Sequence, residues 1–175
     1  MSAATLDPTW PDPDSPDFVY DEMSMFNENR AEYDLPDDEP AVVARVEHAL
    51  ADGRVMRALR WGTESPRLVL LHGGAQNAHT WDTVVLAMGQ PPTLAIDLPG
   101  HGHSDRRTDG RYDARSNAEA VGEVVAALAP DAEVVVCMSL GGLTANALAA
   151  QRPELVRRLV IVDVTPGVDR DKAKD

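Results

Sequence analysis

The segment VVVCMSLGGLTANALAA, residues 134–150, places one serine between an apolar run and an alanine-rich run. Ser139 follows the apolar run directly, and Gly141 and Gly142 come shortly after it. A sharp turn from a strand into a helix needs such small residues, because the two backbones approach closely there. The turn exposes the serine hydroxyl, which can then act as a nucleophile on a carbonyl group. It also places the Leu140 N–H at a helix N-terminus, where it can stabilise an oxyanion.

The same segment has a plainer interpretation. Ser139 would be an ordinary N-cap of the helix, and Gly141 and Gly142 would only let the helix pack closely on the sheet. Both interpretations agree with these residues, so the segment alone does not separate them. The choice depends on the other segments of the chain.

The elements around Ser139 predict an α/β fold. Four apolar runs, RLVLL, PTLAI, AEVVVCM and RRLVIV, suit strands that are buried on both faces of a sheet. Between and after them, residues 80–88, 114–128 and 140–151 have helical patterns. This alternation predicts βαβ units, a mostly parallel sheet and helices on both of its faces. Ahead of them, Asp52-Gly53 separates two strand-like runs and predicts an antiparallel hairpin with a two-residue turn.

Two further segments, LLHGGAQNAHTWD and DLPGHGHSD, precede CMSLGG in the chain. The three motifs, in this order and each at the end of a predicted strand, resemble those of the α/β-hydrolase family over about residues 42–167. The resemblance implies a serine hydrolase with Ser139 as its catalytic residue and an ester, thioester, lactone or related acyl compound as its small-molecule substrate. It implies no metal and no organic cofactor.

The resemblance also assigns roles to the residues around Ser139. The family's oxyanion hole corresponds here to the backbone N–H groups of Leu140 and Gly74, with Ala75 as the alternative to Gly74. Three residues are candidate substrate contacts: Ala75, Trp81 and Met138. An aromatic residue at the start of a covering helix is more often part of the core, which is the alternative for Trp81.

The chain departs from the family's pattern at two places. The family's turn usually reads Gly-x-Ser-x-Gly, and Cys137 stands here at the first glycine position, inside a strand where a thiol is usually inert. The family also places an acid and then a histidine after the nucleophile, whereas the last histidine here, His103, precedes Ser139. Asp163 does follow Ser139, either as that acid or as a structural loop residue.

These departures lead to two expectations for the whole protein. The first is that the chain is the N-terminal part of a hydrolase, with about six of the family's eight strands, and that the acid and the histidine base lie beyond residue 175. The alternative is a non-catalytic protein of the same fold that binds a small molecule or a partner. The altered Cys137 and the lack of a base favour this alternative, and Ser139 with its glycine loop counts against it.

The histidines ahead of Ser139 allow one other chemistry. His101, His103 and Asp105 have the His-x-His-x-Asp spacing that some zinc hydrolases use, but such a site needs further histidines downstream, and the sequence has none. We therefore predict no metal site. His72 is expected to shape its loop through hydrogen bonds, and Asp97 to brace the turn that follows it.

The charge of the chain is concentrated at its start. Residues 1–40 hold twelve acidic residues, one arginine and six prolines, and carry −11 of the formal net charge of −13. We predict an acidic, poorly ordered arm there, with a short helix within residues 23–33, and a partial hydrolase domain over residues 41–175. The arm could alternatively be an interaction tail. The remainder is nearly neutral, which argues against nucleic acid as a partner.

Cysteine content and hydropathy bear on localisation. The single cysteine excludes a disulfide framework, and no apolar run approaches the roughly 20 residues that span a bilayer. The first residues do not resemble a secretory signal. A cytoplasmic protein without a membrane span is the expectation.

Overall fold

The structure is a computed structural model, and it describes residues 15, 21–36 and 40–164. Within them, two 3-10 helices, at Ala78–Trp81 and Pro153–Leu155, accompany six strands and four α-helices. The strands are β1 (Val43–Ala49), β2 (Val55–Trp61), β3 (Leu68–Leu71), β4 (Thr93–Ile96), β5 (Val134–Met138) and β6 (Leu159–Val162). The α-helices are α1 (Phe26–Glu32), α2 (Asp82–Ala87), α3 (Ala114–Leu128) and α4 (Leu140–Gln151).

The six strands form one mixed sheet in the order β1-β2-β4-β3-β5-β6. β1 pairs with β2, and β2 with β4, in antiparallel fashion. The other three pairings, β4 with β3, β3 with β5 and β5 with β6, are parallel. The predicted α/β fold, a mostly parallel sheet that begins with an antiparallel hairpin, is confirmed.

Helices cover both faces of the sheet, and the strands supply apolar side chains to both. Successive side chains of a strand point to opposite faces. In β3, Val69 and Leu71 therefore pack against α3 and α4, while Leu70 packs on the other side with residues of α1 and α2. This two-sided burial explains why β3, β4 and β5 read as continuous apolar runs. The prediction that the RRLVIV strand is buried on both faces is wrong, because β6 lies at the edge of the sheet and exposes Val160 and Val162.

The hairpin between β1 and β2 differs from the prediction in its turn. The Leu50 N–H donates to Arg54 O at 2.7 Å, which leaves a three-residue loop in place of the predicted two-residue turn. Gly53 takes a positive φ of +86°. A three-residue loop commonly ends with one residue in the left-handed region, so Gly53 is needed in either turn.

Two of the three predicted helices of the core, α3 and α4, have the predicted bounds. α3 starts where predicted, because the Asp113 side chain accepts the N–H groups of Arg115 and Ser116. The predicted helix over residues 80–88 is instead the 3-10 helix Ala78–Trp81 followed by α2. None of the described helices has the length and apolar character that crossing a membrane would require.

The short helix predicted within residues 23–33 is confirmed as α1. Phe26 is buried, and its ring centroid lies 5.0 Å from that of Trp61 in β2. Much of the predicted acidic arm, residues 1–14, 16–20 and 37–39, lies outside the described residues, so the division at residue 40 stays a prediction.

Candidate active site

The strand order reverses next to Ser139. From β3 the chain adds β4 on one side, and it then crosses to add β5 on the other side of β3. Open α/β sheets bind ligands at such a reversal, beyond the carboxyl ends of the strands. Residues 72–77 follow β3 and Ser139 follows β5, so both lie at this point.

Ser139 occupies a strained turn between β5 and α4. Its backbone has φ 47° and ψ −117°, a conformation that favours glycine, and its side chain is exposed. Holding another residue there costs about 1–3 kcal/mol. Its N–H donates to Val162 O at 3.2 Å, which ties the turn to β6. Ser139 occupies the N-cap position of α4, as the plainer interpretation predicted, but its side chain makes no capping hydrogen bond to the helix.

Two glycines allow α4 to start directly beside the sheet. A Cβ on Gly141 would overlap Leu71 O and would lie 2.6 Å from His72 O. Because Gly141 has no Cβ, its N–H can approach His72 O and donates to it at 3.0 Å. A Cβ on Gly142 would overlap the Val164 side chain. The prediction that this turn needs small residues is confirmed.

The loop after β3 is held at its start by His72. The His72 side chain is fully buried, and its Nε2 accepts the Leu98 N–H at 2.9 Å. Its Nδ1 must then carry the proton, which it donates to Gly73 O at 2.7 Å. The prediction that His72 shapes this loop through hydrogen bonds is confirmed.

The rest of the loop presents backbone groups beside Ser139. The Gly73 N–H donates to the Gln76 side-chain oxygen at 2.8 Å. A Cβ on Gly73 would lie 3.3 Å from Ser139 Cβ, which places the loop directly beside the serine. Gly74 and Ala75 are exposed, and Ala75 has φ 58°.

Burial of His72 predicts a loss of stability in acid. Burial lowers the pKa of His72 below its ordinary 6.5, so the folded chain binds fewer protons than the unfolded chain. Above about pH 6.5, His72 is neutral in both states and does not change the free energy of unfolding. As the pH falls below that value towards the folded pKa, only the unfolded chain takes up the proton, so the free energy of unfolding falls. In urea unfolding, the free energy of unfolding should fall more between pH 7.5 and pH 5.5 for the wild type than for His72→Gln. An equal fall in both proteins would contradict the role of His72 in this loss of stability.

Cys137 fits the first glycine position of the turn without distorting it. The side chain is fully buried, and its Sγ donates to Val160 O at 3.2 Å. Burial raises the pKa of the thiol to about 11. A thiol in this setting is a poor nucleophile at neutral pH, in agreement with the prediction that Cys137 is inert.

The other candidate residues lie around the turn. Leu140 is the first residue of α4 and is half-buried. Trp81 is only 6% exposed and belongs to the apolar cluster on the α1 and α2 face, which agrees with its alternative as a core residue. Met138 is half-buried and packs against the same cluster. Asp163 follows β6, is exposed and has φ 53°.

The side chains of the HGHSD motif contact different parts of the chain. The His101 ring contacts the His72 ring in a tilted arrangement at a centroid distance of 5.2 Å, and His103 faces Glu22. Asp105 accepts a backbone N–H of β2 at 2.9 Å. Among the described residues, no group of three or more histidine, cysteine, aspartate or glutamate side chains is arranged to hold a metal ion.

Two residues that support the site, Gln76 and Glu22, were not among the predicted site residues. Gln76 lies three residues after Gly73, a spacing at which a side chain can turn back onto a backbone N–H, so the motif itself held a signal. Glu22 contacts His79, which is 57 residues later in the chain. No local pattern indicates a contact of that kind.

Comparisons with known proteins agree with this architecture. The sequence model of the alpha/beta hydrolase fold family matches residues 66–173. Esterase Rv0045c of Mycobacterium tuberculosis is 62% identical over 109 residues, covering 62% of this chain and 36% of that protein. The pimeloyl-[acyl-carrier protein] methyl ester esterase of Nitrosomonas europaea is 42% identical over 102 residues, covering 58% of this chain and 38% of that enzyme.

A solved structure extends the likeness over nearly all of the chain. The crystal structure of the Mycobacterium tuberculosis esterase superposes with a TM-score of 0.80 and 48% identity, covering 90% of this chain and 53% of that one. The chain thus spans about half the length of this solved relative, and its matches cover little more than a third of the two curated relatives. The family match over most of the chain, together with the sheet order, shows that this chain belongs to the α/β-hydrolase fold family.

Proposed function

We propose that this chain carries the nucleophile and the oxyanion hole of a serine hydrolase that cleaves carboxylic esters. The observation that carries the proposal is Ser139, exposed on a strained turn beside the glycine loop that follows β3. The relatives support the ester as the substrate class, because two of them are named esterases. Thioesters and lactones undergo the same acyl transfer and belong to the proposed range.

The proposed reaction has two acyl-transfer steps. Ser139 Oγ attacks the ester carbonyl carbon and passes its proton to a base, which then protonates the departing alcohol as the C–O bond breaks. The acyl group remains on Ser139. Water then attacks the acyl carbon while the base takes one proton from that water, and the base passes this proton to Oγ as the acid is released.

Backbone N–H groups from two segments beside Ser139 would hold the developing oxyanion. Leu140 starts α4, where an N–H has no acceptor within the helix. In the other segment, the Gly73 N–H is already bonded to Gln76, which favours the next residue, Gly74, with Ala75 as the alternative. Two such donors lower the barrier by several kcal/mol in a site that excludes water.

We propose that the base and its acid are supplied from outside residues 1–175. All five histidines precede Ser139 in the chain, and the most buried of them, His72, already uses both ring nitrogens. A base must reach the serine hydroxyl at about 2.6–3.2 Å or through one water. The greater length of the relatives leaves room for such residues.

A binding protein without turnover remains the second candidate. It was favoured by the cysteine at the first glycine position of the turn. The burial of Cys137 and its hydrogen bond to Val160 O weaken that argument, because the turn accommodates the larger residue.

The decisive experiment measures labelling and turnover in the complete protein. We expect a fluorophosphonate probe to label one residue, identified as Ser139 by mass spectrometry, and p-nitrophenyl esters to be hydrolysed. Ser65→Ala, which removes an exposed serine elsewhere, should label like the wild type. Labelling at another residue would refute the nucleophile, and binding of esters without turnover or labelling would favour the binding protein.

A further inference from the structure

The segment before the hairpin is attached to the sheet by an apolar anchor and an ionic one. We call residues 21–36 the strap. Phe26 is 6% exposed and packs on Trp61, so the strap follows the α1 and α2 face of the sheet. Glu22 provides the ionic anchor, and its side chain is only 16% exposed. An ion pair that is largely shielded from water is stronger than an exposed one.

The Glu22 carboxylate contacts three cationic or potentially cationic side chains. Both of its oxygens face the guanidinium of Arg45 in β1, in a bidentate arrangement. Its Oε1 also lies 3.2 Å from His79 Nε2 and 3.3 Å from His103 Nε2. His79 lies in the 3-10 helix after β3 and His103 in the loop after β4, so one carboxylate bridges two separate segments.

Arg45 extends this network to Asp97 at the end of β4. Arg45 Nη1 lies 2.6 Å from Asp97 Oδ2, and the Asp97 side chain is 1% exposed. Asp97 accepts the Ala78 N–H at 2.7 Å and the His103 N–H at 3.0 Å, which confirms the prediction that it braces the following turn. Removing one partner from such a buried network leaves uncompensated charge and loosens the remaining contacts.

The network fixes the far end of the loop that faces Ser139. His72 holds the start of residues 73–77, and Asp97 together with Glu22 holds Ala78 and His79, which follow directly. His79 is held from its other side as well, because its Nδ1 lies 2.6 Å from Asp82 Oδ2. The loop is therefore a short span between two anchored ends.

We propose that Glu22 is a positioning residue, through which the strap holds the 73–77 loop in the geometry needed for oxyanion binding. The role in the reaction rests on the proposed function, whereas the coupling between strap and loop does not. An oxyanion donor acts only when it is already aimed at the developing charge, and small displacements are costly. Loosening the loop should therefore lower kcat more than it alters KM.

Glu22→Gln in the complete protein tests the ionic anchor. It preserves the size of the side chain and removes its charge, and Glu28→Gln, at an exposed position of the same strap, is the matched control. We expect amide hydrogen exchange in residues 73–82 to rise several-fold in Glu22→Gln. We also expect its kcat for a p-nitrophenyl ester to fall about tenfold, with KM within about twofold. Glu28→Gln should match the wild type in all three.

Phe26→Ala tests the apolar anchor, and it should raise exchange in residues 73–77. Phe26 shares its apolar cluster with Ala78 and Trp81, so for this variant only residues 73–77 report on the coupling. A rise confined to residues 21–36 in both variants would overturn the proposal. Faster exchange in residues 73–82 with an unchanged kcat would overturn the positioning role. Exchange is measured without substrate, so the coupling is tested even if Ser139 proves not to be the nucleophile.

Discussion

Replacing Ser139 with alanine is expected to lower kcat/KM for ester hydrolysis by roughly 10⁴- to 10⁶-fold, because no other group would form the acyl intermediate. The variant should still bind substrate, since the backbone N–H groups of the site are unchanged. The measurement is steady-state hydrolysis of a p-nitrophenyl ester by the complete protein. Retention of more than a few per cent of the activity would place the nucleophile elsewhere.

A glycine at the same position separates chemistry from strain. Ser139→Gly and Ser139→Ala both remove the hydroxyl, but only glycine is relaxed at φ 47°. We expect both variants to be inactive and the glycine variant to be more stable than the alanine variant by about 1 kcal/mol. Equal unfolding midpoints would mean that the turn stores little strain.

Gly141→Ala is expected to destabilise the fold by about 3 kcal/mol or more. The new Cβ would overlap Leu71 O and would lie 2.6 Å from His72 O. Both are backbone atoms at the end of β3. A backbone atom cannot rotate away from the new Cβ as a flexible side chain can. To remove this overlap, α4 must shift away from β3, and that shift would also move Leu140 and Ser139. Chemical denaturation should therefore show lower stability, together with a loss of activity.

Gly74→Ala is the matched control for this prediction. A Cβ on Gly74 has no atom within 4 Å, so the substitution adds the same methyl group in open space. Its free energy of unfolding should stay within about 0.5 kcal/mol of the wild type. If Gly141→Ala unfolds at the same denaturant concentration as Gly74→Ala, α4 does not approach β3 as closely as described.

Much of the scaffold could be predicted because its signals are local. The apolar runs that became β3 and β5 are continuous because both faces of these strands are covered. α3 begins where Asp113 can cap it, and α4 begins where the glycines permit the turn. The strained turn at Ser139 was predictable for the same reason, since the small residues that it needs lie within three positions of the serine.

The contacts that position the loop could not be predicted in this way. Arg45 is 23 residues from Glu22 and 52 residues from Asp97, so their pairing depends on how the sheet is assembled. At the level of composition, Glu22 was one of twelve acids in a segment that appeared too charged to pack. Its contacts form only where the fold brings β1, His79 and His103 next to one another.

The β3–β4 ladder ends on a side chain. The last backbone pair is Leu71 with Ile96, and just beyond it the His72 ring accepts the Leu98 N–H in place of a carbonyl oxygen. From this point an imidazole, which is longer than a carbonyl group, sets the spacing between the two chains. The reach of one side chain therefore sets how far the start of the 73–77 loop lies from the segment after β4, and shortening that side chain would release the loop from that segment.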